Sequence, residues 1–164
     1  MNRTKQTLLA LCLALPFAAQ AGPAENARPQ ARLSQPDASE QAKANLALVL
    51  EFFEGFFNRH DVSIAERLVA EDYRQHNPFV ADGREPFVRY FSGEFASNPK
   101  MRTQILRAAV NDDLVFLHVH NTASEDDRGS AGVDIFRVKD GKIVEHWDVN
   151  QDVPEQAANA NTMF

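Results

Sequence analysis

Cysteine is almost absent from the chain: Cys12 is the single one. It lies inside the apolar run LLALCLALPFAA, which follows Arg3 and Lys5 and precedes the small residues AQA. A basic start, an apolar stretch too short to span a membrane and a small-residue cleavage site predict a signal peptide over residues 1–21. We expect cleavage after Ala21 and a periplasmic or secreted protein. The mature chain would lack cysteine, which excludes disulfides and thiol catalysis.

Clusters of positive charge are also missing. The formal net charge is −6, and loss of Arg3 and Lys5 with the signal peptide makes it more negative. Nucleic acids and anionic lipids bind basic patches, so neither is an expected partner. No second apolar run of membrane-spanning length follows the first. We therefore expect a soluble exported protein that does not associate with a membrane.

The sequence has no GxSxG, GxxxxGK or GxGxxG motif. Serine-hydrolase, phosphate-loop and dinucleotide-binding functions therefore have no support. Residues 22–38, GPAENARPQARLSQPDA, contain three prolines and few apolar side chains, which is typical of a disordered linker. The remainder divides into one folded domain, residues 39–153, and a C-terminal tail, residues 154–164.

Three helices are predicted in the first half of the domain. The first follows a capping box at Asp37-x-x-Glu40 and has apolar residues at helical spacing from Leu46 to Phe57. A short second helix is expected from about residue 61 or 63 to 70. After an extended piece at 73–78, the third helix would be capped by Asp82 and end at Asn98-Pro99; its apolar stripe is Phe87, Tyr90, Phe91 and Phe95.

After Pro99, apolar and polar residues alternate as they do in β-strands. Turn residues separate four segments: 101–110, 114–121, 130–138 and 143–149. Short connections make them antiparallel neighbours. The fold class is therefore α+β, with three N-terminal helices packed on a curved antiparallel sheet of at least four strands. A curved sheet covered by helices leaves a concave pocket between the two layers.

Asp134 is unusual because aspartate is depleted within strands. If Asp140-Gly141 is a two-residue hairpin loop, Lys139 pairs with Lys142 and Asp134 with Trp147. Asp134, Phe136 and Trp147 would then share one face, and His146 and Asp148 the other. A one-residue bulge would exchange the faces of the second arm.

A carboxylate beside aromatic side chains on a helix-covered face is desolvated, which raises its pKa. Such a group can donate a hydrogen bond to an enolate or exchange a proton with a carbon acid. The alternative is a partly exposed aspartate paired with an arginine or histidine of a neighbouring strand.

Two histidines on the preceding strand are candidate partners. Period two places His118 and His120 on one face, and His120 is on the strand next to Asp134. A hydrogen bond between His120 and Asp134 would tune the carboxylate. His76 and Asn77 could add polar groups at the pocket rim, or hold a loop by hydrogen bonds to the backbone.

The same histidines permit a different interpretation. His118-Val-His120 with Glu125 and Gly132 matches most of the metal-binding spacing of cupin barrels. However, Asp112 stands where that pattern has a glycine, and no second cupin motif follows. We therefore predict no metal site.

The segments QHNP at 75–78 and DIFRVKDGKIVEHWDV at 134–149, with the order of helices and strands, resemble the SnoaL-like polyketide cyclases of the nuclear transport factor 2-like superfamily. The resemblance covers about residues 40–153. It implies a cone-shaped fold, commonly dimeric through the outer face of the sheet. It also implies that Asp134 is a general acid/base for an aldol ring closure and that His120 is its polar neighbour.

Two functions follow as hypotheses. The first is a cofactor-free cyclase or isomerase that acts on a small apolar carbonyl compound, with Asp134 and His120 as catalytic residues. The second is a periplasmic binding module that holds a small molecule without converting it. The resemblance implies a homodimer in either case. Either function would use a pocket that we predict to be lined by Tyr73, His76, Phe91, His118, Phe136 and Trp147.

Overall fold

The computed structural model describes residues 37–164. The predicted signal peptide and residues 22–36 of the predicted linker lie outside the described residues. No helix of the described part is long and apolar enough to cross a membrane.

Three α-helices precede most of the sheet, as predicted. They are α1 (Glu40–Phe53), α2 (Ile64–Leu68) and α3 (Arg84–Ser97), and a π-helical turn (Glu54–Asn58) extends α1.

The capping residues of the two longer helices differ from the prediction. The hydroxyl of Ser39, not Asp37, accepts the Ala42 backbone N–H at the start of α1. Gly83 caps α3, because the Asp82 carboxylate instead accepts the backbone N–H of Gln75 at 2.7 Å. Polar side chains before a helix have other backbone groups within reach, so the capping pattern alone does not decide between them.

Five strands form one sheet in the order β1-β5-β4-β3-β2. Their bounds are β1 (Val69–Gln75), β2 (Arg102–Asn111), β3 (Leu114–Thr122), β4 (Ser130–Lys139) and β5 (Lys142–Asp152). The last four are antiparallel neighbours, which confirms the predicted meander and the α+β class. The first three residues of the extended piece predicted at 73–78 are the end of β1, which pairs parallel to β5, and residues 76–78 lie outside the strand.

The β4–β5 hairpin contains a bulge that the two-residue loop did not reveal. Val138 pairs with Ile143, but Arg137 pairs with Glu145, so Val144 has no partner. Each later residue of β5 therefore faces opposite to the prediction. His146 pairs with Phe136, and Asp148 with Asp134. The predicted pairing of Asp134 with Trp147 was wrong for this reason.

The core lies between the helices and the inner face of the sheet. Phe56 is fully buried and stacks on Phe52 and Phe87 at ring distances of 5.2 and 4.8 Å. On the sheet side, Val115, Leu117 and Phe136 are buried against these rings. The helices thus present a largely aromatic surface to the inner face of the sheet.

Candidate functional site

A cavity of about 250 Å³ opens between the helices and the inner face of the sheet. Its helix side is largely aromatic, from α1, its π-helical turn and α3. Its sheet side is largely polar, from β1, β5, β4 and β3. An apolar body with a polar end would match both walls. The aromatic side comprises Phe52, Phe53, Phe57, Phe87, Tyr90 and Phe91.

Asp134 lies in this cavity, on β4, beside His146 of β5. The Nε2 atom of His146 is 3.0 Å from Oδ1 of Asp134, and their side chains are 10% and 15% exposed. The other carboxylate oxygen of Asp134 has no hydrogen-bond partner among the described residues. Burial raises the pKa of Asp134, and the hydrogen bond from His146 opposes that rise only in part.

Gln75 determines which nitrogen of His146 carries a proton. The backbone N–H of Asn77 donates to Oε1 of Gln75 at 3.0 Å, which fixes that atom as the oxygen. The same oxygen is 2.9 Å from Nδ1 of His146, so Nδ1 must donate. With Nδ1 protonated, Nε2 and Asp134 hold one proton between them, either on the carboxyl group or on the imidazolium.

Tyr73 places a phenol at the same end of the cavity. Its side chain is buried, and its oxygen accepts a hydrogen bond from Nε2 of Gln75 at 3.2 Å. Burial, followed by the nearby charge of Asp134, raises the pKa of Tyr73 well above its ordinary value. The phenol therefore stays protonated and can donate to a ligand oxygen.

Asp148 is the cross-strand partner of Asp134 and faces the same cavity. The amide of Asn77 donates to both of its oxygens, at 3.0 and 2.8 Å, and Asn150 donates to one at 2.9 Å. The two oxygens of a carboxylate have lone pairs for all three bonds. Its charge is one of the influences that raise the pKa of Asp134.

A row of side-chain amides continues from Asp148 across the sheet. Asn121 donates to Asn150 at 3.1 Å, and Thr103 donates to Asn121 at 2.8 Å. The bond between Asn121 and Asn150 passes over Gly132 of the strand between them. A Cβ atom there would lie 2.6 Å from the amide oxygen of Asn150. The missing side chain of Gly132 therefore lets the row cross β4.

Four of the residues predicted for the site lie in the cavity: Asp134, Tyr73, Phe91 and Phe136. Asp134 and Phe136 share the inner face, as predicted from period two. Asp134 is also within hydrogen-bond reach of a histidine, but that histidine is His146 and not His120.

His118 and His120 lie on the outer face of the sheet. Asp134 pairs with Leu117 across β3, whereas His120 pairs with Ala131. Adjacent partners share a face, so period two separates both histidines from Asp134. His118 accepts a bond from Arg107 at 2.9 Å, and His120 donates to the carbonyl of Arg128 at 2.8 Å. The predicted His120–Asp134 bond was therefore wrong.

The outer face also holds His76 and Trp147. Their rings stack at 4.7 Å, and Nε2 of His76 is 2.9 Å from Glu145. The bulge at Val144 turns Trp147 outward, and the exposed His76 turns to the same side. Asn77, the next residue, reaches the cavity instead.

Sequence reasoning missed His146, Asp148 and Gln75. It also did not propose the other polar side chains of the sheet wall, Asn121, Asn150 and Thr103. His146 and Asp148 were assigned to the opposite face because the bulge was not counted. The alternative register, with a one-residue bulge in the second arm, places both of them on the face of Asp134 and so predicts their position correctly. Gln75 precedes His76 in the segment QHNP and was passed over.

The cupin interpretation does not fit this geometry. His118 and His120 are held by Arg107 and by the backbone of Arg128, on a single sheet preceded by helices. Within residues 37–164, no three histidine, cysteine, aspartate or glutamate side chains are grouped as metal ligands.

The fold and pocket define the class of protein: an α+β cone with a carboxylate at its polar end. The sequence profile of the SnoaL-like domain matches residues 49–146, and the chain belongs to this family. The resemblance inferred from QHNP and the final hairpin is thereby confirmed. Among curated proteins, none matches the chain.

Solved structures share the fold. A candidate SnoaL-like polyketide cyclase from Jannaschia is 17% identical, with a TM-score of 0.61 over 71% of this chain and 91% of its own. A candidate polyketide cyclase from Bacillus cereus is 22% identical, with a TM-score of 0.63 over 78% and 89%. A candidate ketosteroid isomerase from Kribbella flavida is 20% identical, with a TM-score of 0.59 over 76% and 90%. At these identities the likeness establishes the fold alone.

Proposed function

We propose that the protein catalyses cofactor-free proton transfer on a small apolar carbonyl compound, leading to ring closure by an aldol step or to isomerisation. The observation that carries this proposal is the Asp134–His146 pair at the polar end of an aromatic cavity. One oxygen of Asp134 is bonded to His146 at 3.0 Å, and the other is free of partners among the described residues. The free oxygen is available to a substrate proton.

Asp134 acts as the base when the shared proton is on His146. Its carboxylate takes a proton from the carbon next to the substrate carbonyl, and the electron pair of that C–H bond forms the enolate. Because burial raises the pKa of Asp134, the carboxylate is a stronger base than an exposed aspartate. The resulting pair carries one positive charge, which offsets the negative charge of the enolate.

Tyr73 stabilises the enolate oxygen. Its phenol already accepts from Gln75, so its own O–H is directed to another acceptor. A donor fixed at the developing charge contributes more to the transition state than to the substrate. Gln75 is a positioning residue, since it orients both Tyr73 and His146.

The enolate then has two fates. In isomerisation, Asp134 returns the proton to a different carbon of the conjugated system. In ring closure, the enolate carbon attacks a second carbonyl of the same molecule, and Asp134 gives its proton to the new alkoxide. Relatives in fold are named for both outcomes, as candidate cyclases and a candidate isomerase.

We also propose export and dimerisation. The sequence of residues 1–21 supports export. On the outer face of the sheet, Val133 and Val149 are 40% and 71% exposed, an apolar pair that a second copy would cover. Cleavage of the precursor and sedimentation of the mature protein test these two statements.

Exchange of ketone protons tests the chemistry without knowledge of the natural substrate. In D₂O, the wild-type protein should accelerate loss of the α-proton NMR signals of small bicyclic ketones such as 2-tetralone. Asp134→Asn should reduce this rate by roughly 10²–10⁴-fold. The variant should remain folded, because the introduced side-chain amide can donate to Nε2 of His146 as the protonated carboxyl group does.

Asp140→Asn is the matched control, since Asp140 lies in the exposed hairpin turn and loses the same charge. It should exchange protons at the wild-type rate. An unchanged rate in Asp134→Asn would exclude Asp134 as the base. Binding of ketones without any exchange in the wild-type protein would favour the alternative, a non-catalytic binding module; mass spectrometry of ligands retained on purification would then identify its cargo.

A further inference from the structure

We propose that the pocket selects ring compounds without negative charge, and that a hydroxyl or protonated amine of the ligand donates a hydrogen bond to Asp148. This inference deepens the proposed function and rests on it, in that the substrate occupies the same cavity. It names the class of ligand rather than the reaction.

The charged groups that line the cavity are nearly all acidic. Asp134 and Asp148 lie at its polar end, and Glu94 of α3 lies on the opposite wall. His146 is the one titratable base among the described lining residues, and no lysine or arginine is among them. A carboxylate or phosphate on the ligand would therefore enter a site whose one basic side chain, His146, is already paired with Asp134.

The arginines near the site are engaged elsewhere. Arg137 faces outward, where it bonds Asp113 at 2.6 Å and Glu145 at 3.0 Å. Arg84 donates to the carbonyl of Val69 at 3.1 Å. Neither side chain lines the cavity, so neither offsets its negative charge.

The side-chain amides on the sheet side are bonded to Asp148 and to one another. Asn77 donates a hydrogen bond to each carboxylate oxygen of Asp148. Asn150 donates to Asp148, and Asn121 donates to Asn150. Their amide oxygens are used as well: that of Asn77 accepts the Phe79 N–H at 3.0 Å, and that of Asn121 accepts from Thr103. The carboxylate oxygens retain lone pairs. Asp148 thus remains an acceptor that a ligand hydroxyl or amine can meet, while the Tyr73 phenol remains a donor for a ligand carbonyl.

The surface next to the cavity is also rich in acidic side chains. Glu94 also borders an adjoining groove, together with Asp126, Asp127 and Asp152, against a single arginine, Arg128. Two aromatic side chains that also line the cavity, Phe79 and Tyr90, are 81% and 39% exposed. Aromatic faces attract cations, so the approach favours a protonated amine and disfavours an anion.

Four probes on one ring system separate charge from hydrogen bonding. They are 2-naphthylmethylammonium, 2-naphthol, 2-methoxynaphthalene and 2-naphthoate, titrated into the purified protein by calorimetry near pH 7. We expect affinity to fall in that order, with naphthoate at least about tenfold weaker than the ammonium compound. Asp148→Asn should reduce this ratio several-fold, and Asp140→Asn, which removes an equal charge from the hairpin turn, should not.

Naphthoate that binds as tightly as the ammonium compound would overturn the proposal. An equal change of the ratio in Asp148→Asn and Asp140→Asn would also overturn it, since net charge and not the pocket would then select the ligand. Failure of all four probes to bind would count against it too. These are equilibrium measurements, so a protein that exchanges no ketone protons, and thus fails the proposed function, can still show the predicted selectivity.

Discussion

The two faces of the β4–β5 hairpin place their carboxyl groups in opposite environments. On the outer face, Glu145 is surrounded by basic side chains: Arg137 at 3.0 Å, His76 at 2.9 Å and Arg74 at 3.9 Å. The hydrogen bond with His76 is the largest cause of a lowered pKa for Glu145. On the inner face, Asp134 has one histidine and a second carboxylate beside it, and burial raises its pKa.

The contrast separates groups that stabilise the fold from groups that are available for chemistry. Neighbouring charges hold Glu145 in its ionised form, so it has little tendency to exchange a proton. Asp134 is held where its two protonation states are closer in free energy, which is what a general acid/base requires. Adjacent positions on one strand, Glu145 and His146, thus serve different purposes because they face different sides.

The largest expected effect is the loss of stability on removal of an aromatic ring from the inner face. Phe136 is 2% exposed and its ring lies 4.6 Å from that of His146. Phe136→Ala should lower the free energy of unfolding by about 3–5 kcal/mol in urea denaturation, through the cavity it leaves. Val133→Ala, on the outer face of the same strand, should change it by no more than about 0.5 kcal/mol. Equal losses would mean that a second copy covers Val133 as completely as the helices cover Phe136.

A smaller effect is expected from filling the space above Gly132. The new Cβ of Gly132→Val would lie 2.6 Å from Oδ1 of Asn150 and 2.9 Å from a methyl group of Val119. We expect a loss of about 1–3 kcal/mol and a separation of Asn121 from Asn150. The Asn side-chain amide signals in NMR spectra would report the separation. Ala131→Val, one residue away on the other face, is the control and should leave those signals in place.

The smallest effect is a difference in pH dependence. Because the pKa of Asp134 is raised, the folded protein binds its proton more tightly, and stability falls as pH rises from the ordinary value of 3.8 through the raised one. The pKa of Glu145 is lowered, so its contribution is complete above 4.5 and is lost as pH falls through the lowered value. Asp134→Asn should flatten the first slope and Glu145→Gln the second.

Urea denaturation at several pH values measures both slopes. The Glu145 effect should amount to about 0.5–1 kcal/mol, since the side chains of its partners Arg74 and His76 are 69% and 39% exposed to solvent. If both substitutions flattened the same limb of the profile, the assignment of opposite environments to the two faces would be wrong.

The sequence predicted the fold class, the order of elements and the inner position of Asp134 and Phe136. These follow from hydrophobic period and turn chemistry, which are local. The partner of Asp134 depended on a bulge at Val144, and an extra residue in a strand leaves no local pattern, because Val144 is as strand-compatible as Ile143. The prediction of His120 as the partner rested only on its being on the strand next to Asp134. The residue that actually lies opposite Asp134 is Leu117, and this register depends on the pairing of the whole sheet.

Asn58, at the end of the π-helical turn, gives the edge of the sheet a protection against self-association. Its amide accepts the backbone N–H of Thr103 at 2.9 Å and donates to the backbone carbonyl at 3.1 Å. Thr103 belongs to β2, the strand at one end of the sheet order. One side chain thus occupies the donor and acceptor that a strand from another molecule would need at this position. The helical segment that shapes the pocket thus also blocks strand addition at this position of the edge.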